Sequence, residues 1–251
     1  MKSCIIIPAR LNSNRLPGKL LLKINNLSLI ENVYNNCCKT KNTDVYIATD
    51  NLKIKRECLK FTENIIITNS LHNSGTDRVA EAAEKLKIYE TIINVQGDEL
   101  SVSNKHILML IKALKDNAST MVSLMTNLKE TEIDNPNSVK VIFDKLNYAL
   151  NFKRKISESE AQLLSQNNRS NIFINKHIGV YGFNIKNLIR FKKLNIADRE
   201  KKEKLEQLRA IENNIPIKMF FVNLAKHNFS INDRSDYLKA KKYFEKNFKI
   251  N

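Results

Sequence analysis

Short runs of β-branched residues alternate with helical patterns through the first 125 residues of the chain. The run 4–7 is apolar throughout, which is typical of a strand buried on both faces. In 76–86, by contrast, the apolar residues recur at helical spacing. Strands that alternate with helices form βαβ units, so the pattern predicts an α/β fold with a doubly wound, mostly parallel sheet. Further strands are predicted at 45–48, 65–68 and 91–95, and further helices at 28–38, 104–114 and in a segment ending at 59.

The second half of the chain changes character. Segments at 120–125, 139–143, 173–183 and 218–222 have strand patterns, whereas 201–211 and 235–248 have helical ones. Residues 155–170 are rich in Ser, Asn and Gln, which predicts an exposed loop or a short helix. No internal repeat or linker interrupts the chain. We therefore predict a single domain over 1–251 with an embedded β-rich subregion at about 120–185.

The net charge of +16 does not by itself indicate a nucleic-acid partner. The lysines are spread along the chain, so a solvated basic surface is the first interpretation; nucleic-acid binding and attraction of a polyanionic small substrate are the alternatives. No apolar run reaches the roughly 18 residues that a membrane-spanning helix needs. The apolar stretch at the N-terminus is also too short for a secretory signal. With four cysteines in no regular framework, we expect reduced thiols, no membrane insertion and a cytoplasmic location.

Scarce glycine excludes the two common nucleotide loops. The chain has five glycines, and no two of them are separated by a single residue, so the dinucleotide fingerprint is absent. The one Gly-Lys pair, Gly18-Lys19, is followed by Leu20 where a P-loop requires Ser or Thr. Any nucleotide must therefore be held by other means.

Two segments after predicted strands carry candidate chemistry. The segment 8–19 follows the first strand and contains Arg10, Arg15 and Lys19, whose side chains suit phosphate oxygens. From its residue types alone, this segment could be either a triphosphate-binding loop or an ordinary basic loop. Asp98 follows the strand at 91–95, where a carboxylate could hold Mg²⁺ or cap the next helix.

A set of motifs in one order resolves these alternatives. Together they resemble the cytidylyltransferases that activate 3-deoxy-manno-octulosonate (Kdo), from residue 5 to about residue 238. The related sialic-acid cytidylyltransferases fit less well, because their loop after Pro-Ala-Arg differs. The motifs are Pro8-Ala9-Arg10, Arg15-Leu16-Pro17-Gly18-Lys19, Ser74-Gly75-Thr76-Asp77-Arg78, Asn94-Val95-Gln96-Gly97-Asp98-Glu99, Asn135-Pro136-Asn137, Val139-Lys140-Val141, Tyr148-Ala149-Leu150, His177-Ile178-Gly179-Val180-Tyr181-Gly182 and Leu205-Glu206-Gln207-Leu208-Arg209.

The resemblance implies a nucleotidyl transfer on a Rossmann-like sheet. CTP would react with the anomeric hydroxyl of Kdo to give CMP-Kdo for lipopolysaccharide synthesis, with Mg²⁺ held by Asp98 and Asp233. Arg10 and Lys19 would stabilise the phosphate charge, and a homodimer is implied. The implied nucleotide-binding residues are Pro8, Ala9, Arg10, Arg15, Lys19, Gly75, Arg78, Gln96 and Asp98. The implied sugar-binding residues are Arg154, His177, Tyr181, Glu206 and Gln207. The remaining histidines, His72, His106 and His227, gain no role and are predicted to lie at the surface.

The sequence departs from the family pattern at three places. The segment after Arg154 lacks the usual proline and following arginine, and Leu100 replaces a proline. Around Asp233 the usual Gly and Pro are missing, although Ser235 could cap the following helix. These departures leave open a related 3-deoxy sugar acid, such as 8-amino-Kdo, as substrate, and a scaffold without full metal binding. A capsule pathway instead of lipopolysaccharide also stays open.

Overall fold

The computed structural model of the protein describes residues 2–13, 15–116, 121–157, 159–160, 171–224 and 229–247. They form two compact units. The first comprises Met1–Met109 with Leu224–Asn251, and the second comprises Leu110–Asn223. No helix of the described residues is long and apolar enough to cross a membrane.

The first unit contains a parallel sheet with β1 in its interior. Strand β1 pairs in parallel with β4 on one side and with β6 on the other, and β4 pairs in parallel with β5. Every residue of β1 and β6 is buried, and for β1 the apolar run at 4–7 predicts this burial. The strands are β1 (Ser3–Ala9), β4 (Asp44–Thr49), β5 (Ile65–Ile67) and β6 (Thr91–Val95), and a separate small hairpin is formed by β2 (Lys23–Ile24) and β3 (Leu27–Ser28).

The chain order of these strands creates a switch point between β1 and β6. From β1 the chain adds β4 and β5 on one side, then returns to add β6 on the other. In open α/β sheets, ligands bind beyond the carboxyl ends of the strands at such a point. The segments after β1 and after β6 are the ones that carry the candidate phosphate and metal residues.

Helices cross between these strands. They are α1 (Leu29–Cys38), α2 (Leu52–Cys58), α3 (Gly75–Leu86) and α4 (Asn104–Asp116), with α8 (Arg234–Asn247) at the end of the chain. Asn51 caps α2 and Ser74 caps α3 through their side chains, because both accept backbone N–H groups of the first turn. At the start of α1, by contrast, the spacing of Ser28 and Glu31 is that of a capping box, but the Ser28 side chain forms no cap and its hydroxyl is buried without a hydrogen bond to the described residues.

The second unit is built mainly from antiparallel strands. Strand β7 pairs antiparallel with β10 and parallel with β11, while β8 pairs antiparallel with both β10 and β9. Here the strands are β7 (Met121–Thr126), β8 (Lys140–Asp144), β9 (Ala149–Lys153), β10 (Ile172–Asn184) and β11 (Ile217–Phe221), and the helices are α5 (Ile185–Lys193), α6 (Asp198–Glu203) and α7 (Leu208–Glu212).

Two elements of the second half differ from expectation. The single helix expected over 201–211 is wrong: α6 ends at a left-handed Lys204, with φ of 54°, and α7 begins at Leu208. Strand β9 and helix α5 had no counterpart in the sequence patterns. Most of the loop expected at 155–170, and the end of the last helix at Phe248, fall outside the described residues.

Candidate active site

The loop after β1 is held against the start of α3 by Arg10. Its Nη1 donates to the carbonyl of Asn73 at 3.2 Å, and its Nη2 donates to the carbonyl of Ser74. Gly18 adopts φ of +64°, a conformation that favours glycine, and its N–H donates to Leu11 O at 3.2 Å. Arg10 and Lys19 thus lie on the loop that follows β1, beside the switch point.

Lys19 joins this loop to the segment after β6. Its Nζ forms an ion pair with Oδ2 of Asp98 and also donates to the carbonyl of Ile231 at 2.9 Å. Both charged side chains are largely buried, with exposed fractions of 13% and 21%. The partly dry surroundings strengthen the pair relative to one at the surface. The structure thus brings together two residues that the sequence places 79 positions apart.

The segment just before Asp233 makes a short antiparallel contact with the segment that contains Asp98. The N–H of Ile231 donates to the carbonyl of Asp98 at 3.1 Å, and Ser230 bridges to Glu99. Asp233 lies two positions after Ile231, directly before α8. The predicted second metal aspartate is therefore positioned by backbone pairing with the segment that contains the first.

The start of α8 is capped by Asp233 itself, so the expectation that Ser235 caps it is wrong. Oδ1 of Asp233 accepts the N–H of Asp236 at 2.9 Å. Asp236 in turn accepts the N–H of Asn232 at 3.0 Å, and Asn232 Oδ1 accepts from Arg15 at 3.1 Å. These polar contacts fix the helix start without the Gly and Pro of the family pattern.

This donor set fits Mg²⁺. The cation takes one or two carboxylates together with phosphate oxygens and water, and Asp98 and Asp233 are two carboxylates on paired segments. The described residues contain no group of three or more His, Cys, Asp or Glu that could hold a metal. Substrate phosphates would have to complete the coordination.

Gly75 allows a close approach at the start of α3. A Cβ there would lie 3.1 Å from Nε2 and 3.2 Å from Oε1 of Gln96, and 3.4 Å from the ring of Pro8. The predicted nucleotide residues Pro8, Gly75 and Gln96 are thus packed side by side, and Ala9 ends β1 beside them. Gln96 Nε2 also donates to Asn94 Oδ1 at 3.3 Å, which orients its amide.

Arg78, which the resemblance implies faces the nucleotide, has a buried side chain on α3. Only 1% of its side chain is exposed, and Nη2 forms an ion pair with Asp50 Oδ1 at 3.2 Å while Nη1 donates to Thr68. Its Nε is buried without a hydrogen-bond partner among the described residues. Burial lowers the pKa of Arg78, although the charge of Asp50 opposes this shift. Asp50 follows β4 directly, and no motif identified it.

In the second unit, three of the predicted sugar residues form one buried cluster. His177 stacks edge-to-face on Phe152, with ring centroids 5.0 Å apart, and lies 5.5 Å from the ring of Tyr181. The hydroxyl of Tyr181 donates to Oε1 of Gln207 at 3.1 Å. Desolvation lowers the pKa of His177 to about 3, so its ring is neutral at physiological pH. Ser123, whose hydroxyl lies 3.0 Å from His177 Nε2, is a further member that sequence reasoning missed.

The other two predicted sugar residues lie beside this cluster. Arg154 donates from Nε to Glu203 O at 2.6 Å, from Nη1 to Pro136 O at 3.0 Å and from Nη2 to Lys204 O at 3.0 Å. It therefore braces two turns of the unit. The charges of Glu206 and Arg154 both act on Tyr181, whose pKa is raised first by burial and then by Glu206, with Arg154 opposing.

The remaining histidines do not join either cluster in the described residues. The surface expectation is wrong for His72, whose side chain is only 14% exposed and pairs with Glu81. Burial would raise the pKa of Glu81, but hydrogen bonds from Lys85, the Asn69 backbone and His72 together lower it to about 2. His106 is half-buried, and His227 lies outside the described residues.

Comparisons with known proteins place the chain in a family. A family model described as cytidylyltransferase matches residues 4–219. A 3-deoxy-manno-octulosonate cytidylyltransferase of Thermodesulfovibrio yellowstonii is 40% identical over 228 residues, covering 87% of this chain and 89% of that protein. One of Fusobacterium nucleatum subsp. nucleatum is 38% identical, covering 87% and 88%.

Solved structures agree with the sequence relatives. A CMP:2-keto-3-deoxy-manno-octonic acid synthetase complexed with CTP superimposes with a TM-score of 0.85 and 29% identity, covering 98% of this chain and 99% of that one. A glucose-1-phosphate thymidylyltransferase of Bacillus anthracis, at 12% identity and a TM-score of 0.67, shares the fold. The predicted Rossmann-like α/β fold is therefore confirmed, and the chain belongs to the cytidylyltransferase family, in its group of 3-deoxy-manno-octulosonate cytidylyltransferases.

Proposed function

We propose that this chain is a Mg²⁺-dependent enzyme that transfers CMP from CTP to the anomeric hydroxyl of Kdo. The anomeric oxygen forms a bond to the α-phosphorus, the bond from the α-phosphorus to the bridging oxygen of the β-phosphate breaks, and pyrophosphate leaves. The hydroxyl proton is released to solvent. The observation that carries the proposal is the contact of Lys19 with Asp98 at the switch point between β1 and β6, in a chain 40% identical to a named Kdo cytidylyltransferase.

The first unit supplies charge and positioning for the triphosphate. Phosphoryl transfer is accelerated mainly by orientation and by neutralising developing negative charge. Arg10 uses two of its five N–H donors on backbone carbonyls, which fixes the guanidinium and leaves donors for phosphate oxygens. Lys19, already held between Asp98 and Ile231, supplies a second cation. Asp98 and Asp233 would hold Mg²⁺, which when bound neutralises phosphate charge and orients the attacking oxygen.

The second unit supplies the sugar site. Neutral His177 offers a hydrogen-bonding ring, and Tyr181 and Gln207 orient one another. Arg154 and Glu206 add one charge of each sign beside them. An acidic, hydroxyl-rich sugar needs both a cation for its carboxylate and several oriented polar groups for its hydroxyls. Kdo has that chemistry, and so does its 8-amino relative.

Pyrophosphate release measured with CTP and Mg²⁺ across a panel of 3-deoxy sugar acids tests the proposal. We expect release that depends on Kdo. Release only with the 8-amino sugar would move the assignment to that substrate, and no release with any acid would overturn the activity. Salt-dependent binding of duplex or single-stranded nucleic acid without release would favour the alternative of a binding protein.

Asp98→Asn and Asp233→Asn test the metal role. Each should lower kcat by at least about hundredfold, since a bound cation contributes several kcal/mol to charge stabilisation. Asn is also a good helix cap, so Asp233→Asn should keep α8 intact and unfold at the wild-type temperature. Retained activity in Asp233→Asn would show that this residue serves only as a cap.

The proposal extends to assembly and location, on the support of the family resemblance alone. We propose a homodimer in the cytoplasm whose product serves lipopolysaccharide synthesis. Light scattering should then give twice the chain mass of 29.0 kDa. A monomer that retains full activity would refute the dimer.

A further inference from the structure

Lys140 is a charged residue in the interior of the second unit. It lies on β8 opposite Lys153 of β9 and Lys176 of β10, and its exposed fraction is 0%. Lysine is almost never fully buried unless it is paired with an opposite charge. Within the described residues, however, no carboxylate forms an ion pair with Lys140. Burial of this charge therefore costs free energy, and the structure should show what compensates for it.

The ammonium group of Lys140 is held by backbone carbonyls. Nζ donates to Asn135 O and to Arg154 O, both at 2.8 Å. The charges that act on it are those of Asp134, Glu132 and Lys176, of which Glu132 is already paired with Lys176 at 2.6 Å. Burial lowers the pKa of Lys140 to about 8, with the two acidic residues opposing the shift. The ammonium group thus joins the turn at 135 to the backbone of Arg154 through these two hydrogen bonds.

The side chain of Arg154 continues this link. Its Nη1 donates back to Pro136 O at 3.0 Å, so the turn is held from both sides. Nε and Nη2 then reach the carbonyls of Glu203 and Lys204, at 2.6 and 3.0 Å. Three hydrogen bonds therefore connect Lys140 through Arg154 to the break between α6 and α7.

That break leads directly into the sugar cluster. Lys204 is left-handed, and a left-handed non-glycine residue persists only where surrounding contacts hold it. Two and three positions later come Glu206 and Gln207, and Gln207 accepts the hydroxyl of Tyr181. Both residues therefore follow closely, along the chain, the two carbonyls that Arg154 holds.

We propose that Lys140 is a positioning residue for the sugar site, acting through Arg154 on the segment 203–207. The inference rests on the proposed function for its substrate. It gives a reason for a buried ammonium, since an apolar residue of the same size would fill the space but would remove the charged donor that links the Asn135 and Arg154 carbonyls.

Lys140→Met tests the inference, because methionine keeps most of the volume and removes the donor. Lys153→Met is the matched control: Lys153 is the cross-strand partner of Lys140, but it is partly exposed and pairs with Glu160. We expect the KM for Kdo to rise about tenfold or more in Lys140→Met, as loss of one oriented charged hydrogen bond implies, with the KM for CTP within about twofold. The control should leave both values unchanged.

Hydrogen exchange on the full chain supplies a readout that does not depend on the substrate. Amides of residues 203–208 should exchange faster in Lys140→Met than in the wild type, at an unchanged rate for β1 and β6. Lys140→Gln, which keeps a neutral donor on a shorter stem, should fall between the two. If Lys140→Met does not fold, the glutamine variant provides the same comparisons.

The outcomes separate the inference from the proposed function. Wild-type protein that does not release pyrophosphate with Kdo would refute the function while the exchange result stands. Unchanged exchange at 203–208, or equal rises in the KM for Kdo and for CTP, would overturn the positioning role of Lys140. Loss of the fold in both variants would also overturn it, because Lys140 would then support the unit as a whole.

Discussion

His177 makes the second unit sensitive to acid in a way that can be calculated. Its ring is buried between Phe152 and Tyr181, and desolvation lowers its pKa to about 3. In the unfolded chain the pKa of histidine returns to about 6.5. Between these two values the unfolded state binds a proton that the folded state does not. The folded pKa is depressed, so the stability it confers is present above pH 6.5 and is lost as the pH falls towards 3.

The magnitude follows from linkage. The free energy of unfolding should fall by about 1.4 kcal/mol for each pH unit inside this window. Between pH 7.5 and pH 5.0 the contribution of this single residue is about 2 kcal/mol. His177→Gln removes the titrating group and keeps a polar side chain beside Ser123, so the variant should lack that part of the pH dependence.

Urea unfolding followed by circular dichroism at the two pH values measures the effect, since the chain contains no tryptophan for fluorescence. The quantity of interest is the difference between wild type and variant, in which the other titrating groups cancel. Ser123→Ala is the control: it removes the hydrogen-bond partner at 3.0 Å but leaves the ring buried, so the acid sensitivity should remain. An equal loss of stability in wild type and His177→Gln would refute the assignment of a buried, neutral histidine.

Further substitutions test individual packing contacts in each of the two units. Glu200→Ala should lower the free energy of unfolding, measured in urea, by about 3–5 kcal/mol. The reason is that the buried Arg209 loses the carboxylate that accepts its hydrogen bonds at 2.6 and 2.9 Å. A change of under about 1 kcal/mol would contradict a desolvated pair. Gly75→Ala should raise the KM for CTP, because the added Cβ displaces the Gln96 amide, and an unchanged KM would show that this amide does not contact the nucleotide. Gly18→Ala should instead cost about 1–2 kcal/mol of stability, since its φ of +64° is unfavourable for alanine although the space is open; wild-type stability would refute that strain.

The elements that the sequence predicted well are those whose signal is local. Strand β1 contains the apolar run 4–7, β6 is rich in β-branched residues, and α3 has both a helical apolar stripe and a serine at its cap. Their boundaries agree with expectation to within two residues. Local patterns were weaker in the second unit, where α6 and α7 look like one charged helix and only the left-handed Lys204, held by Arg154, separates them.

The sequence by itself determined the fold class, the family and the identity of the candidate site residues, because apolar periodicity and motif order are properties of neighbouring positions. Tertiary structure decided which contacts those residues make. Lys19 contacts Asp98 only because parallel pairing brings the ends of β1 and β6 together. Asp233 serves as a helix cap as well as a candidate ligand, and Lys140 is buried against two carbonyls rather than exposed. Burial and hydrogen-bond partners depend on segments far apart in the chain, so only the folded arrangement could assign them.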